Sequence, residues 1–471
     1  MSAGTRPGST VCILSWNGRS HLEHCLEALA QQHEPDGGWE VLVLDNGSSD
    51  GTIEWLEREW ENRALGARGG GRLRWIRRAD NSGFCAGNNQ LADAAQGEHL
   101  VLLNNDTRPR RDWLAALSAA MRAAPADVAA VGGRILDWDE RRVDFVEGLL
   151  TFDGHAFQRG YGRDVGAVEE PAPGAELLFA CGGNMIVRRE AFREVGAFDP
   201  AYFAYLEDVD LGWRLWSAGH RVTYQPQATV AHRSMATSGA LGTYNRGLLF
   251  ERNALRTAFK NFDDEHWNKL ASAVWTTFLH RTQTMLVENN PGGAELALDP
   301  YQDAAAPTEG RSGTDAAAAA EEHGPSLVTK WRGWGTFGLA RRGLRRLLDN
   351  LADSLRRPGD PRWELLEPLA AASEGGVALT DPRSVAQLRA FAHFARHLGA
   401  AAGERRRIQG RRMRGDREIF ERFGLHLVPT YPGDDRWFAD PGFRSLLPAR
   451  PISSPPRRAH LGPADGLTRR P

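Results

Sequence analysis

The sequence predicts an α/β protein: a doubly wound, mainly parallel sheet flanked by helices, followed by a largely α-helical C-terminal region. Three observations carry this prediction. Through the first part of the chain, apolar runs of strand length alternate with segments whose apolar residues recur at helical spacing. The apolar runs are continuous, as in strands covered on both faces. Beyond about Leu241 strand-like runs give way to helical periodicity.

The elements follow in order. "TVCILS" reads as the first strand, and Leu22, Cys25, Leu26 and Leu29 mark the helix after it. "WEVLVLD" is the second strand, followed by a helix bearing Ile53 and Leu56 and capped by Ser48 or Ser49. "LRWIRR" and a helix through Leu91 come next. Then come the strand "HLVLLN", a helix with Leu114, Leu117 and Met121 that begins near Pro109, and a fifth strand, "VAAVGGRIL". From about Asp137 to Glu176 the pattern breaks into an irregular insertion. Order returns with "GGNMIVRREAFREVGAFDP", the helix "LEDVDLGWRLWSAGH" and the β-rich "RVTYQPQATVAH". The expected divisions are a catalytic α/β domain over 9–262, a helical extension over 263–290 and a flexible linker over 291–325. A helical C-terminal region over 326–424 and an irregular Pro- and Arg-rich tail over 425–471 complete the chain.

Composition narrows the function classes. At 471 residues, with 41% hydrophobic and 25% charged residues, the chain suits a globular protein with a sizeable core. A net charge of -2 gives no polyanion-binding signature, so nucleic acid is not expected as a partner. Lys260, Lys269 and Lys330 are the only lysines. A P-loop, which needs Gly-Lys-Ser or Gly-Lys-Thr, is therefore excluded, and "SWNGRS" after the first strand is not the GxGxxG of dinucleotide binding. Cys12, Cys25, Cys85 and Cys181 lie far apart in apolar settings and read as reduced core residues. "MSAGTRPGST" lacks the apolar core of a signal peptide, and "LASAVWTTFLHRTQTMLV" carries His280 and Arg281 at its middle. The expectation is a cytoplasmic protein. Arg341, Arg342, Arg345 and Arg346, on an amphipathic run, suit peripheral contact with an anionic membrane surface or packing as a solvated face.

Four polar clusters fall where strands end: "SWNGRS", "DNGSSDGT" led by Asp45, "DNSGFCAGNN", and Asn104-Asn105-Asp106. In open α/β sheets the ligand lies in the crevice at the carboxyl ends of the strands. Asp106 is there a candidate metal or phosphate partner, although each cluster alone also reads as a turn or helix cap. Farther on, Glu207 and Asp208 open a helix, and Asp210 pairs with Arg214 one turn along it. Phe198, Tyr202, Phe203 and Tyr205 would partly desolvate a carboxylate and raise its proton affinity toward that of a general base. His232 stands just past a strand as a candidate ligand.

Taken together, "SWNGRSHLEHCLEAL", "VLVLDNGSSDGT", "NSGFCAGNN", "LLNNDT", "GGNMIVRREAFREVGAFDPAYFAYLEDVDLGWRL", "VAHRSMATSG" and "ERNALR" resemble the inverting family 2 glycosyltransferases of GT-A fold, particularly their rhamnosyltransferase-like branch. The resemblance covers roughly the first 260 residues. It implies that Asp45 holds the base and ribose of a nucleoside diphosphate sugar, with Ser15, Trp16 and Asn17 in the same pocket. Asn81, Gly83, Gly87 and Asn88 would form a wall of that site, and Asn104 and Asn105 would adjoin the diphosphate. Asp106 and His232 would bind a divalent cation, Mg²⁺ or Mn²⁺. The family usually writes this motif Asp-x-Asp; here Asn104 holds the first place. Asp208 would be the general base and Glu207 its neighbour. The implied reaction moves a sugar, such as rhamnose, from a dTDP- or UDP-linked donor to a hydroxyl of a cell-surface glycan, glycolipid or other lipid-linked acceptor. The alternatives are an inactive GT-A scaffold, against which Asp106, Asp208 and His232 together argue, and a sugar nucleotidyltransferase. The latter places its phosphate loop after strand one and uses lysines absent here.

Overall fold

The computed structural model describes residues 7–233, 242–290, 293 and 380–448. It divides into two compact units, residues 1–280 with 389–471, and residues 281–388. The first holds twelve strands: β1 (Ser9–Ser15), β2 (Trp39–Asp45), β3 (Arg72–Arg77), β4 (His99–Asn104), β5 (Thr107–Pro109), β6 (Val128–Asp137), β7 (Val143–Phe145), β8 (Gly148–Leu150), β9 (Ala156–Gln158), β10 (Glu176–Leu177), β11 (Asn184–Arg188) and β12 (Arg221–His232). The sheet runs β10-β12-β6-β11-β4-β1-β2-β3, with β5 added to β12 and β7 to β6. The strands β3, β2, β1 and β4 are parallel, as are β6 and β12, while β11 runs antiparallel between β4 and β6. β1 thus has β2 on one side and β4 on the other, which makes the carboxyl ends of β1 and β4 a topological switch point.

The helices α1 (Arg19–Ala30), α2 (Thr52–Trp60), α3 (Gly83–Ala94) and α4 (Trp113–Ala123) each bury one apolar face on this sheet. Leu22, Cys25, Leu26 and Leu29 line that face of α1, at the spacing of about 3.6 residues that a helix requires. Two boundaries depart from expectation. The helix expected near Pro109 begins at Trp113, because Thr107, Arg108 and Pro109 instead pair with His232, Ala231 and Val230. The strand-edge pairing satisfies backbone that a helix would otherwise claim. Neither Ser48 nor Ser49 caps α2; Asp50 accepts the Thr52 N–H at 3.2 Å, while the two serines bind Asn17.

Beyond β11 come α5 (Arg189–Glu194), α6 (Glu207–Ser217), α7 (Gly242–Asn261) and α8 (Asp264–Asn289). They are followed by α9 (Pro382–Arg396), α10 (Leu398–Gly410), α11 (Asp416–Phe423), α12 (Asp434–Ala439) and α13 (Pro441–Ser445). The insertion over 137–176 is not irregular throughout, since it carries β7 and a β8–β9 hairpin. Two short helices also stand within the stretch read as an irregular tail. They form because Phe438 and Phe443 bury against Phe152, at ring separations of 5.8 and 5.9 Å. Likewise Phe420 packs edge-on to Trp213 at 5.4 Å and Phe423 to Trp216 at 4.9 Å. The helix α6 is thereby covered by chain from the far C-terminus, and truncating a buried Trp such as Trp213 costs on the order of 3–5 kcal/mol. Arg341, Arg342, Arg345 and Arg346, the linker over 291–325 apart from Gly293, and the tail beyond 448 lie outside the described residues. Among the described residues no helix is long and apolar enough to cross a membrane.

Candidate active site

At the switch point the strand ends place Ser15 beside Asp45 and Asn104 beside Leu14. Ser15 and Asp45 are fully buried. Asp45 Oδ2 accepts a long bond from the Ser48 N–H at 3.4 Å, and Oδ1 has no hydrogen-bond partner. Burial pushes this carboxyl up from its ordinary value. A buried acceptor left open at a strand end fits a ligand that donates a hydrogen bond. Asn105 donates to Ser15 Oγ at 3.1 Å, and Gly18 has no side chain because a Cβ there would lie 2.3 Å from Asn105 Nδ2. Asn17, at φ 48°, ties the first loop to the second by accepting the Ser49 N–H and donating its own N–H to Ser48.

The other expected wall residues divide. Asn81 Oδ1 accepts from Asn46 Nδ2 and from the Gly83 N–H, both at 2.9 Å, and so shapes the loop that enters α3. Gly87 faces Leu14, where a Cβ would lie 2.4 Å from a methyl group, and Asn88 donates to Phe84 O within α3. Gly87 thus serves the packing of α3 on β1. Trp16 is half-buried.

Asp106 follows β4 and His232 ends β12, and the pairing of β5 with β12 brings them together. Asp106 Oδ1 lies 3.2 Å from His232 Nε2, and Asp144 Oδ2 lies 2.8 Å from His232 Nδ1. Burial alone would depress the imidazole, but the two flanking carboxylates overcome it and hold the group well above its ordinary value. Asp144 was not legible beforehand; it sits on β7, within the segment without a local pattern. A carboxylate that holds one ring nitrogen directs the other toward a ligand. To coordinate a cation, His232 Nε2 would have to release the proton it shares with Asp106, after which the two side chains present one carboxylate oxygen and one imidazole nitrogen. That donor pair fits a hard divalent ion whose remaining ligands are phosphate oxygens and water. The three-ligand cluster found among the described residues, Asp263, His266 and Asp416, lies elsewhere. Its oxygens already accept from Trp213 Nε1, Arg412 and backbone N–H groups.

Glu207 and Asp208 open α6. Asp208 Oδ2 accepts the Gly182 N–H at 3.2 Å, and Oδ1 accepts the Val209 N–H at 2.8 Å. Neighbouring Gly183 must lack a side chain, since a Cβ would meet Asn104 Nδ2 at 2.8 Å. Glu207 is buried, and its Oε2 has no hydrogen-bond partner. Desolvation, reinforced by the charge on Asp208, pushes Glu207 up to about 8. Burial also raises Asp208, while its two backbone donors favour its charged form. The two oxygens of Asp208 thus each have a backbone donor that favours its charged form, whereas Glu207 Oε2 has none. The aromatic residues expected to desolvate these groups include Phe198 and Tyr202, both fully buried.

Asp210 plays a different part. Arg214 Nη2 lies 2.7 Å and Lys260 Nζ 2.9 Å from its carboxylate, and Lys260 also reaches Asp199 at 2.8 Å. Arg256 binds Asp199 at 2.8 Å, closing a buried network between α6 and α7. Although burial opposes it, the cations Arg214 and Lys260 hold Asp210 below the usual carboxylate range. Asp210 is accordingly a structural ion, as its spacing from Arg214 predicts. Cys12, Cys25 and Cys85 are buried free thiols, and Cys181 is half-buried beside Asp208.

The profile of glycosyl transferase family 2 matches residues 10–196. Over 241 residues the chain is 30% identical to the N-acetylglucosaminyl-diphospho-decaprenol L-rhamnosyltransferase of Mycobacterium tuberculosis, covering 49% of this chain and 77% of that protein. It is 33% identical over 224 residues to a pre-mycofactocin glycosyltransferase of the same organism, covering 47% of this chain but 42% of that one. A mannosyltransferase from Pyrobaculum calidifontis, solved in complex with GDP-Man and Mn²⁺, aligns with a TM-score of 0.39 at 17% identity over 82% of this chain and 86% of that one. The strand-end clusters, the family profile and the rhamnosyltransferase relative converge, and the chain belongs to the family 2 glycosyltransferases.

Proposed function

We propose that this glycosyltransferase inverts the anomeric centre of a UDP- or dTDP-linked sugar, rhamnose among the candidates, as it transfers that sugar to an acceptor hydroxyl. The carrying observation is the pair of carboxylates at the start of α6, where Asp208 accepts two backbone N–H bonds that favour its charged form and Glu207 is buried with Oε2 unpartnered. Asp208 takes the proton of the acceptor hydroxyl as its oxygen bonds to the anomeric carbon. The bond from that carbon to the diphosphate oxygen breaks, and the diphosphate leaves with the electron pair. Asp45, with its open buried oxygen, receives a donor group of the nucleotide. Ser15 and Asn105 hold the crevice floor between strand ends. Asp106 and His232 would hold a divalent cation, Mg²⁺ or Mn²⁺, which supplies charge neutralisation at the departing diphosphate. Asp144 keeps the His232 ring in place. A glycan or lipid-linked hydroxyl is the acceptor class suggested by the relative named for a diphospho-decaprenol substrate.

The experiment is a panel of UDP-glucose, UDP-GlcNAc and dTDP-rhamnose, tested for binding by thermal shift and for nucleoside diphosphate release with and without Mn²⁺. With the donor so identified, Asp208→Asn is expected to lower turnover by on the order of 10²- to 10⁴-fold while leaving donor affinity nearly unchanged. An active Asp208→Asn variant beside an inactive Glu207→Gln variant would transfer the role of base to Glu207.

A further inference from the structure

The segment that presents the two carboxylates has an unusual backbone. Phe203, Tyr205 and Leu206 have φ values of 64°, 73° and 63°. These are positive-φ conformations that residues with side chains seldom adopt, and three fall within four residues immediately before Glu207; Leu206 is left-handed at ψ 7°, whereas Phe203, at ψ −61°, centres a γ-turn closed by the Ala204 N–H on Tyr202 O at 2.7 Å. Something must hold them, because such a segment persists only where its surroundings over-determine it.

Among the described residues, the side chain that reaches the most carbonyls of this segment is on α7. Asn253 is fully buried, and its Nδ2 lies 3.1 Å from Tyr202 O, 2.8 Å from Ala204 O and 2.7 Å from Tyr205 O. The orientation of the amide is settled by Arg252, whose Nε donates to Asn253 Oδ1 at 2.9 Å. Arg252 Nη2 also donates to Tyr202 O at 2.6 Å, and the Cys85 N–H donates to Phe203 O at 3.2 Å. The carbonyls of this loop point inward, away from the solvent that could otherwise satisfy them. An amide nitrogen at their convergence gives two of them short bonds and shares with the third.

We propose that Asn253 is a positioning residue for glycosyl transfer: its side-chain amide clamps the strained 203–206 turn and thereby sets where Glu207 and Asp208 enter the crevice. The proposal rests on the reading of Asp208 as general base. Asn253 touches neither carboxylate, so its effect falls on the chemical step and not on donor binding at the opposite strand ends.

The test compares the parent chain with Asn253→Ala, Asn253→Ser and Asn253→Ala/Tyr205→Gly, using the donor selected by the panel. Asn253→Ala should lower turnover about 10²-fold, the effect of a displacement near 1 Å at a catalytic group, with KM for the donor and affinity for UDP or dTDP within about twofold. Backbone amide hydrogen exchange over 203–208 should quicken in the same variant. Glycine adopts positive φ freely, so the double variant should recover about tenfold of the lost turnover. A merely structural lesion would be worsened by the second substitution. Asn253→Ser, which keeps a donor in a smaller side chain, should fall between parent and Asn253→Ala, and it carries the comparison if the alanine variant does not fold. Turnover of Asn253→Ala within threefold of the parent, or loss of turnover matched by loss of nucleotide affinity, would overturn the clamp. Activity persisting in Asp208→Asn would overturn the base assignment instead, leaving the exchange measurement to judge the clamp alone.

Discussion

Glu207 offers a direct physical test of how the site is charged. Its carboxyl is buried, one oxygen has no hydrogen-bond partner, and its affinity for a proton is raised from 4.5 to about 8 by desolvation and by Asp208. The native state therefore holds a proton that the unfolded chain releases. Stability from this group is fully present below pH 4.5 and is lost as pH rises through about 8, because the folded-state value is the higher of the two. At 1.36 kcal/mol for each tenfold, the span from 4.5 to about 8 corresponds to roughly 5 kcal/mol, of which about 3 kcal/mol is already lost at pH 7. Glu207→Gln removes the titration while keeping the size of the side chain. The variant should match the parent near pH 4.5, exceed it by about 3 kcal/mol at pH 7, and exceed it further at pH 9. Urea denaturation of both chains at these three pH values measures the difference, and subtraction cancels every titration they share. If Asp208 is the base, the variant also keeps most of its turnover. A stability difference that does not grow with pH would refute a protonated Glu207.

Two further outcomes follow from the same geometry. Mn²⁺ should strengthen UDP or dTDP binding to the parent chain in calorimetric titration, and Asp106→Asn or His232→Ala should abolish that strengthening; equal affinity with Mn²⁺ and with chelator in the parent would remove the ion from the site. Lys260→Met should destabilise the fold by about 3 kcal/mol, because Asp199 and Asp210 lose a shared buried cation while retaining Arg256 and Arg214. Unchanged urea midpoints for that variant would show the network to be dispensable.

What the sequence determined by itself was whatever short-range chemistry encodes. Continuous apolar runs specify strands buried on both faces, and Leu22, Cys25, Leu26 and Leu29 specify one face of α1. The polar clusters at strand ends marked the crevice, since parallel strands wound with helices bring their carboxyl ends to one edge. Asp210 was legible as a structural ion because its partner stands four residues away. The tertiary structure alone decided the rest. Asp144 reaches His232 across 88 positions, and Asn253 reaches Ala204 and Tyr205 across 49 and 48, through strand and helix packing that no local pattern records. Gly87 is turned toward the sheet because α3 has two sides and its rotation is set by packing on Leu14. Phe438 and Phe443 sit in a Pro- and Arg-rich segment, yet they order it, because two buried aromatic rings against Phe152 outweigh a composition that elsewhere reads as irregular. Backbone preference is set within a few residues, whereas the contacts that build this site join side chains dozens of positions apart and exist only once the sheet, α6 and α7 have closed around them.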